Sequence, residues 1–170
     1  AQEPGAESAS ELVSLERDRR EGLLPDEGEE DDLIRTLTLA ADQFVAKRAG
    51  DLRTILAGYH WFTDWGRDTM ISLPGIALTT GRGEDARKIL EAFAGSVSEG
   101  MLPNRFPDAG ELPDYNTVDA TMWFFVAAHA YWRSTADLEF LGDRLLPVME
   151  DIVAWHDRGT RYGIHVGDDG

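Results

Sequence analysis

Trp61-Phe62-Thr63-Asp64-Trp65-Gly66-Arg67-Asp68-Thr69-Met70-Ile71-Ser72-Leu73-Pro74-Gly75-Ile76-Ala77-Leu78 carries two signals in one stretch. Its first half crowds two tryptophans, two carboxylates and an arginine together. Its second half is nearly all apolar, with no charged face. The spacing predicts a helix from near Gly66 to Thr80-Gly81. Pro74-Gly75 should kink it, because proline lacks an N–H and its ring crowds the preceding turn. A helix that is apolar all round has to be buried on all sides.

The pattern repeats further along. Asp114-Tyr115-Asn116-Thr117-Val118-Asp119-Ala120-Thr121-Met122-Trp123-Phe124-Phe125 is again a polar set running into an apolar one. It opens a predicted helix from Thr117 to about Ser134. Three other predicted helices are amphipathic. The first, from about Asp31 to Lys47, gathers Leu33, Ile34, Leu37, Leu39, Ala40, Phe44 and Val45 on a broad face. Another opens at Gly83, with Glu84 and Asp85 suited to its dipole, and Gly100 ends it. Ala86, Ile89, Leu90, Phe93, Ala94 and Val97 form its stripe. The last runs from Asp137 to about His156 and is divided at Pro147. The end, Arg161 to Gly170, alternates like a strand and reaches a turn at Gly167-Asp168-Asp169-Gly170.

Buried and half-buried helices alternating along a chain imply an inner and an outer layer visited in turn. The expected fold is therefore all-α, a helical toroid or α/α barrel. The inner-outer pair has a period of about 50 residues, with no repeat strong enough for a solenoid. Consecutive inner helices then run in the same direction. Both polar sets fall at one end of the inner ring, in a pit lined by Trp, Asp, Asn and Arg.

Bulk properties narrow the classes. The 170 residues are 42% hydrophobic with five Trp, enough for a sizeable core in one domain or part of one. A net charge of -16 argues against nucleic acid, which needs clustered Lys and Arg. Much of the acid precedes Leu33. Residues 1–30 read as a disordered, weakly structured acidic lead-in or linker, with an acidic interaction arm as the alternative and room for a short helix around Ala9 to Arg20. The folded domain is expected over residues 31–170. There are no cysteines, which removes disulfide and thiolate-metal frameworks and fits a reducing cytoplasm. No signal peptide or membrane-length apolar run is visible.

The pit chemistry suits a neutral ligand with many hydroxyls. Trp61, Trp65 and Trp123 offer flat faces for a sugar ring, with core packing the competing reading for Trp123. Asp64 reads either as a hydroxyl-binding group or as the N-cap of the next helix. Arg67 and Asp68 read as a pair beside a dry wall, where buried charges require partners, against a solvated surface pair. Asn116 and Asp119 have the spacing of a capping box, which does not exclude facing the pit. His129, His156 and His165 lack metal-ligand spacing, and no metal or other cofactor is expected. Gly81-Arg82-Gly83 lacks the strand and Lys-Ser/Thr of a phosphate loop. Cleaving a glycosidic bond by inversion needs two carboxylates about 6.5–9.5 Å apart. Asp64, Asp68, Asp114 and Asp119 are the candidates, and spacing alone does not choose a pair.

Trp61 to Gly75, Gly81-Arg82, Gly100 to Pro107 (GMLPNRFP), Tyr115 to Phe125 (YNTVDATMWFF) and Trp155 to Ile164 (WHDRGTRYGI) resemble the C-terminal catalytic domain of glycogen debranching enzymes, the amylo-α-1,6-glucosidase family. The resemblance covers about residues 50 to 170. It implies an (α/α)6 barrel of twelve helices, of which this chain would carry about five. It implies inverting hydrolysis of the single α-1,6-linked glucose on a trimmed glycogen branch, in the cytoplasm, with an α-glucan as partner and neither nucleic acid nor membrane. Related glucoamylases carry a Trp-x-Arg-Asp string that grips the terminal glucose. By similarity Arg67 and Asp68 do so here, with Asn116 and Asp119 lining the same subsite and Trp65 or Trp123 as platforms. The family's general acid and base are expected in later helices, beyond Gly170. The isolated chain is then expected to be inactive and to lack the C-terminal half of its own domain, with Asp68 and Asp119 the fallback pair inside it. Two other readings remain: a related toroidal glucosidase of glucoamylase or trehalase type, and a non-catalytic carbohydrate-binding helical module.

Overall fold

A computed structural model of the protein describes residues 8–24, 32–105 and 112–167. The chain divides into two compact units, residues 1–43 and 44–170. In the first unit, α1 spans Ala9–Glu21 and α2 spans Asp32–Asp42. Ser8 and Glu11 close a capping box at the start of α1, which satisfies two otherwise orphaned N–H groups. Arg19 reaches both Asp42 carboxylate oxygens, at 2.9 and 2.6 Å. The short helix expected in the lead-in is therefore present, while residues 1–7 and 25–31 of that lead-in lie outside the described residues.

The second unit is mostly helical but not all-α. A three-stranded antiparallel sheet of β1 (Val45–Lys47), β2 (Arg53–Gly58) and β3 (Phe62–Asp64) stands where the sequence pattern predicted helix or nothing. Val45 opposes Ile55, and Leu56 opposes Asp64. The expected first helix stops at Asp42, and Val45 spends its backbone on the ladder instead. The β-branched pair Thr54 and Ile55 fits a pleated, half-buried surface; both side chains are buried.

Five helices follow the sheet among the described residues. α3 is Gly66–Leu73 and α4 is Gly83–Ala94. α5 is Asp119–Thr135, and the short α6, Leu138–Phe140, widens through 141–145 into α7, Leu146–Arg158. The kink expected at Pro74 is a wider turn over Pro74–Leu78, in which Thr79 N–H donates to the Pro74 carbonyl at 2.9 Å. The proline sits at the first position of this turn, where its missing N–H costs least. α4 ends at Gly95 rather than Gly100, where Ser96 Oγ donates back to the Ala92 carbonyl. Gly100 instead makes a tight turn with φ of 77°, and the described part of the C-terminal segment, 161–167, forms no strand. The turn expected at 167–170 falls largely outside the described residues.

The core is one cluster built from Met70, Leu73, Ile89, Phe93, Phe124 and Phe140, among others. Thr69 Oγ1 donates to the Ile55 carbonyl, which ties α3 to the sheet. α4 presents Ala86, Ile89, Leu90 and Phe93 at helical spacing, as its amphipathic pattern requires. α3 and α5 differ from the expectation of burial on all sides. α5 buries Ala120, Phe124, Ala127, Ala128 and Tyr131, yet Met122, Trp123 and Val126 are exposed, as is Ile71 of α3. Among the described residues, part of their second apolar face stays open to solvent.

Candidate functional site

The two polar sets meet at the starts of α3 and α5. Arg67 Nε lies 3.2 Å from Asp119 Oδ2, so the first turns of the two helices stand side by side. This places both helix N-termini at one end of the unit, with their partial positive charges directed there. The chain reaches this arrangement through a close backbone approach. Gly66 N–H donates to the Asn104 carbonyl at 2.8 Å, and a Cβ on Gly66 would sit 2.1 Å from the Pro103 carbonyl oxygen. Only glycine fits there.

Asn104 is buried and bonded on every side. Its N–H donates to the Asp114 carbonyl at 2.8 Å. Its Oδ1 accepts from the Arg67 N–H at 3.4 Å, and its Nδ2 donates to Asn116 Oδ1 at 3.1 Å. Arg105 Nε donates to Asp114 Oδ2 at 2.6 Å beside it. The segment before α5 is thereby stapled to the start of α3. Neither Asn104 nor Arg105 is among the residues that the sequence pattern singled out. The available signal was the string Gly100 to Pro107, which carries both; its last two residues lie outside the described part.

Trp65, Phe62, Ala57 and Asp68 line a hollow of about 190 Å³. The Trp65 and Phe62 rings meet edge to face, with centroids 6.3 Å apart. Asp68, in the first turn of α3, is exposed. Trp123 follows Asp119 by one helical turn, so both occupy the same side of α5, and it is 37% exposed. Trp61 is the outlier: at the hairpin tip before β3 it is 87% exposed.

Two capping expectations fail. Asp64 does not cap α3; it is buried in β3, where it accepts from Thr54 Oγ1 at 3.0 Å and pairs with Arg48. Burial lowers the Arg48 guanidinium from its ordinary value, and Asp64 supplies the counter-charge it then needs. Asn116 and Asp119 form no capping box, since Val118 holds the cap position and makes no side-chain bond. The Asn116 amide oxygen is taken by Asn104, and Asp119 by Arg67. Among the described residues no three His, Cys, Asp or Glu side chains cluster as a metal site, and no helix is long and apolar enough to cross a membrane.

Indole side chains, an Arg–Asp ion pair and amide groups thus gather at the joined starts of two helices in a mostly helical unit that carries a small sheet. The sequence profile of the amylo-alpha-1,6-glucosidase family matches residues 39–170, and the chain belongs to that family. A stretch of 64 residues, 38% of this chain, is 50% identical to the glycogen debranching enzyme of Saccharomyces cerevisiae (strain ATCC 204508 / S288c). That stretch is 4% of the yeast protein's length.

Proposed function

We propose that the joined starts of α3 and α5 grip a terminal glucose unit of a glycogen-type α-glucan, as part of a glycoside hydrolase that removes α-1,6-linked glucose by inversion. The observation that carries this reading is the Arg67–Asp119 contact, which brings both polar sets to one place. Membership of the amylo-alpha-1,6-glucosidase family supports the reaction, and the name of the yeast relative supports glycogen as the substrate. Arg67 and Asp68 donate to and accept from sugar hydroxyls, Asn116 and Asp119 line the same subsite, and Trp65 and Trp123 stack on the ring. A hollow of about 190 Å³, lined by Ala57, Phe62, Trp65 and Asp68, lies beside the start of α3. Residues 31–170 would form the N-terminal part of an (α/α)6 toroid, working in the cytoplasm and without a cofactor.

The proton transfers need a carboxylic acid and a carboxylate on opposite sides of the bond. Of the candidate carboxylates, Asp64, Asp114 and Asp119 are already committed to arginines, which leaves Asp68 with no second carboxylate to complete a pair. The reading therefore gives the residues of α3 and α5 a binding role. The test is glucose release by the full-length protein from phosphorylase-trimmed glycogen, compared with α-1,4 and α,α-1,1 glucosides. Preference for the α-1,6 stub supports the reading. Preference for either of the others would move the protein to a glucoamylase or trehalase type of activity, and no hydrolysis with retained glucan binding would leave a carbohydrate-binding module.

A further inference from the structure

Asn104 is 4% exposed and sits between the two polar sets without belonging to either. Its main chain alone would hold the fold together here, through the Gly66 N–H and the Asp114 carbonyl. Its side chain does something separate. Oδ1 takes the Arg67 N–H, and Nδ2 gives its hydrogen to Asn116. One planar amide thus fixes the first turn of α3 and the segment before α5 at a set separation. Both of those neighbours are proposed glucose contacts. We infer that Asn104 is a positioning residue, whose amide sets the spacing between Arg67 and Asn116 across the terminal-glucose subsite. This inference rests on the glucose-grip reading of that subsite.

The physical case is one of geometry rather than stability. Asn116 is an exposed side chain, and an exposed side chain with several rotamers needs a fixed partner to present its amide in one direction. The Asn104 amide, locked by burial, is such a partner. A displacement of about 1 Å at a binding group costs as much as 10²-fold in rate. A serine or alanine at 104 keeps both main-chain bonds and removes the spacer.

The experiment uses the full-length protein and its glucose release from trimmed glycogen. Asn104→Ala is expected to lower kcat/KM by about 10- to 100-fold, with most of the loss in kcat. Its loss should add less than fully to that of Asn116→Ala, because the Asn104–Asn116 bond is shared while the bond to the Arg67 main chain is not. Amide exchange supplies a readout independent of catalysis. Arg67 N–H loses protection in Asn104→Ala, whereas Gly66 N–H, bonded to the main-chain carbonyl, keeps it. Where alanine impairs folding, Asn104→Ser is measured in the same cycle. Wild-type kinetics in a well-folded Asn104 variant, or losses that add fully with Asn116→Ala, would overturn the positioning role. Unchanged kinetics in Arg67→Ala itself would instead overturn the glucose-grip reading, and the two failures are told apart by that control.

Discussion

The Arg67 guanidinium and the Asp119 carboxylate meet at 3.2 Å across the first turns of α3 and α5, and both side chains remain more than two-fifths exposed. An ion pair between side chains this exposed contributes little to folding, about 0.2–1 kcal/mol. On the proposed glucose grip, the pair should matter to binding more than to stability. Arg67→Ala should therefore shift the midpoint of urea unfolding only slightly. If the grip reading holds, in the full-length protein the same change should lower kcat/KM for trimmed glycogen by about 100-fold, the scale for losing one positioned hydrogen-bond donor. Asp68→Ala should behave alike. A large loss of stability with near-normal kinetics would make the pair structural.

Gly66 tests the other half of the arrangement. Its absent Cβ is what lets the Pro103–Asn104 backbone lie against the start of α3, 2.1 Å from where that carbon would be. A carbonyl oxygen on the main chain cannot swing aside as a flexible side chain would. Gly66→Ala should cost about 3 kcal/mol or more, read as a fall in the urea midpoint, and should weaken glucan binding with it. Gly75→Ala, where nothing lies within 4 Å, is the control and should be close to neutral.

The helices were legible because their stripes repeat over several turns: Ala86, Ile89, Leu90 and Phe93 of α4 read directly as a buried face. Asp137 and Pro147 marked their boundaries for local reasons, a side-chain cap and a fixed φ. The sheet was not legible. Val45–Lys47 and Phe62–Asp64 are too short to show a period of two, and Phe44 and Val45 happen to extend the stripe of α2. At the site, local rules failed wherever a distant partner outbid them. Asn116 has the spacing to cap α5, but Asn104 holds its oxygen; Asp64 has the spacing to cap α3, but Arg48 and Thr54 hold its carboxylate. Such partners lie on other elements and leave no periodic trace.

Tyr131 and Asp137 form a pair with a pH signature at both ends of the scale. Tyr131 OH donates to Asp137 Oδ2 at 2.8 Å, and Asp137 Oδ1 accepts from the Phe140 N–H at 3.0 Å. The Phe140 N–H first, and Tyr131 second, hold the Asp137 carboxyl below its ordinary value. Its contribution is thus present above the unfolded value and is lost as pH falls through the folded one. Burial, with help from Asp137, pushes the Tyr131 phenol up to about 12. Here the contribution is present below the ordinary phenol value of 10.0 and is lost as pH rises toward about 12. Asp137→Asn should flatten the acid limb of a Tm-against-pH profile. Tyr131→Phe should lower Tm at pH 7 and flatten the alkaline limb. A wild-type profile in both variants would show that the pair does not couple to folding.

The exposed side of α5 gives the last prediction. Met122, Trp123 and Val126 recur at helical spacing on one face, each at least 37% exposed, and Ile71 of α3 is 46% exposed. Spaced singly, exposed apolar residues are ordinary; gathered on one face they mark a surface that avoids water by association. The 170-residue chain should therefore self-associate as its concentration rises, read by light scattering. Val126→Glu should shift light scattering toward a monomer. It should leave Tm nearly unchanged, because Val126 is half-exposed and opening it costs little packing. A monodisperse wild-type monomer across the same concentration range would mean that this face tolerates water as it stands.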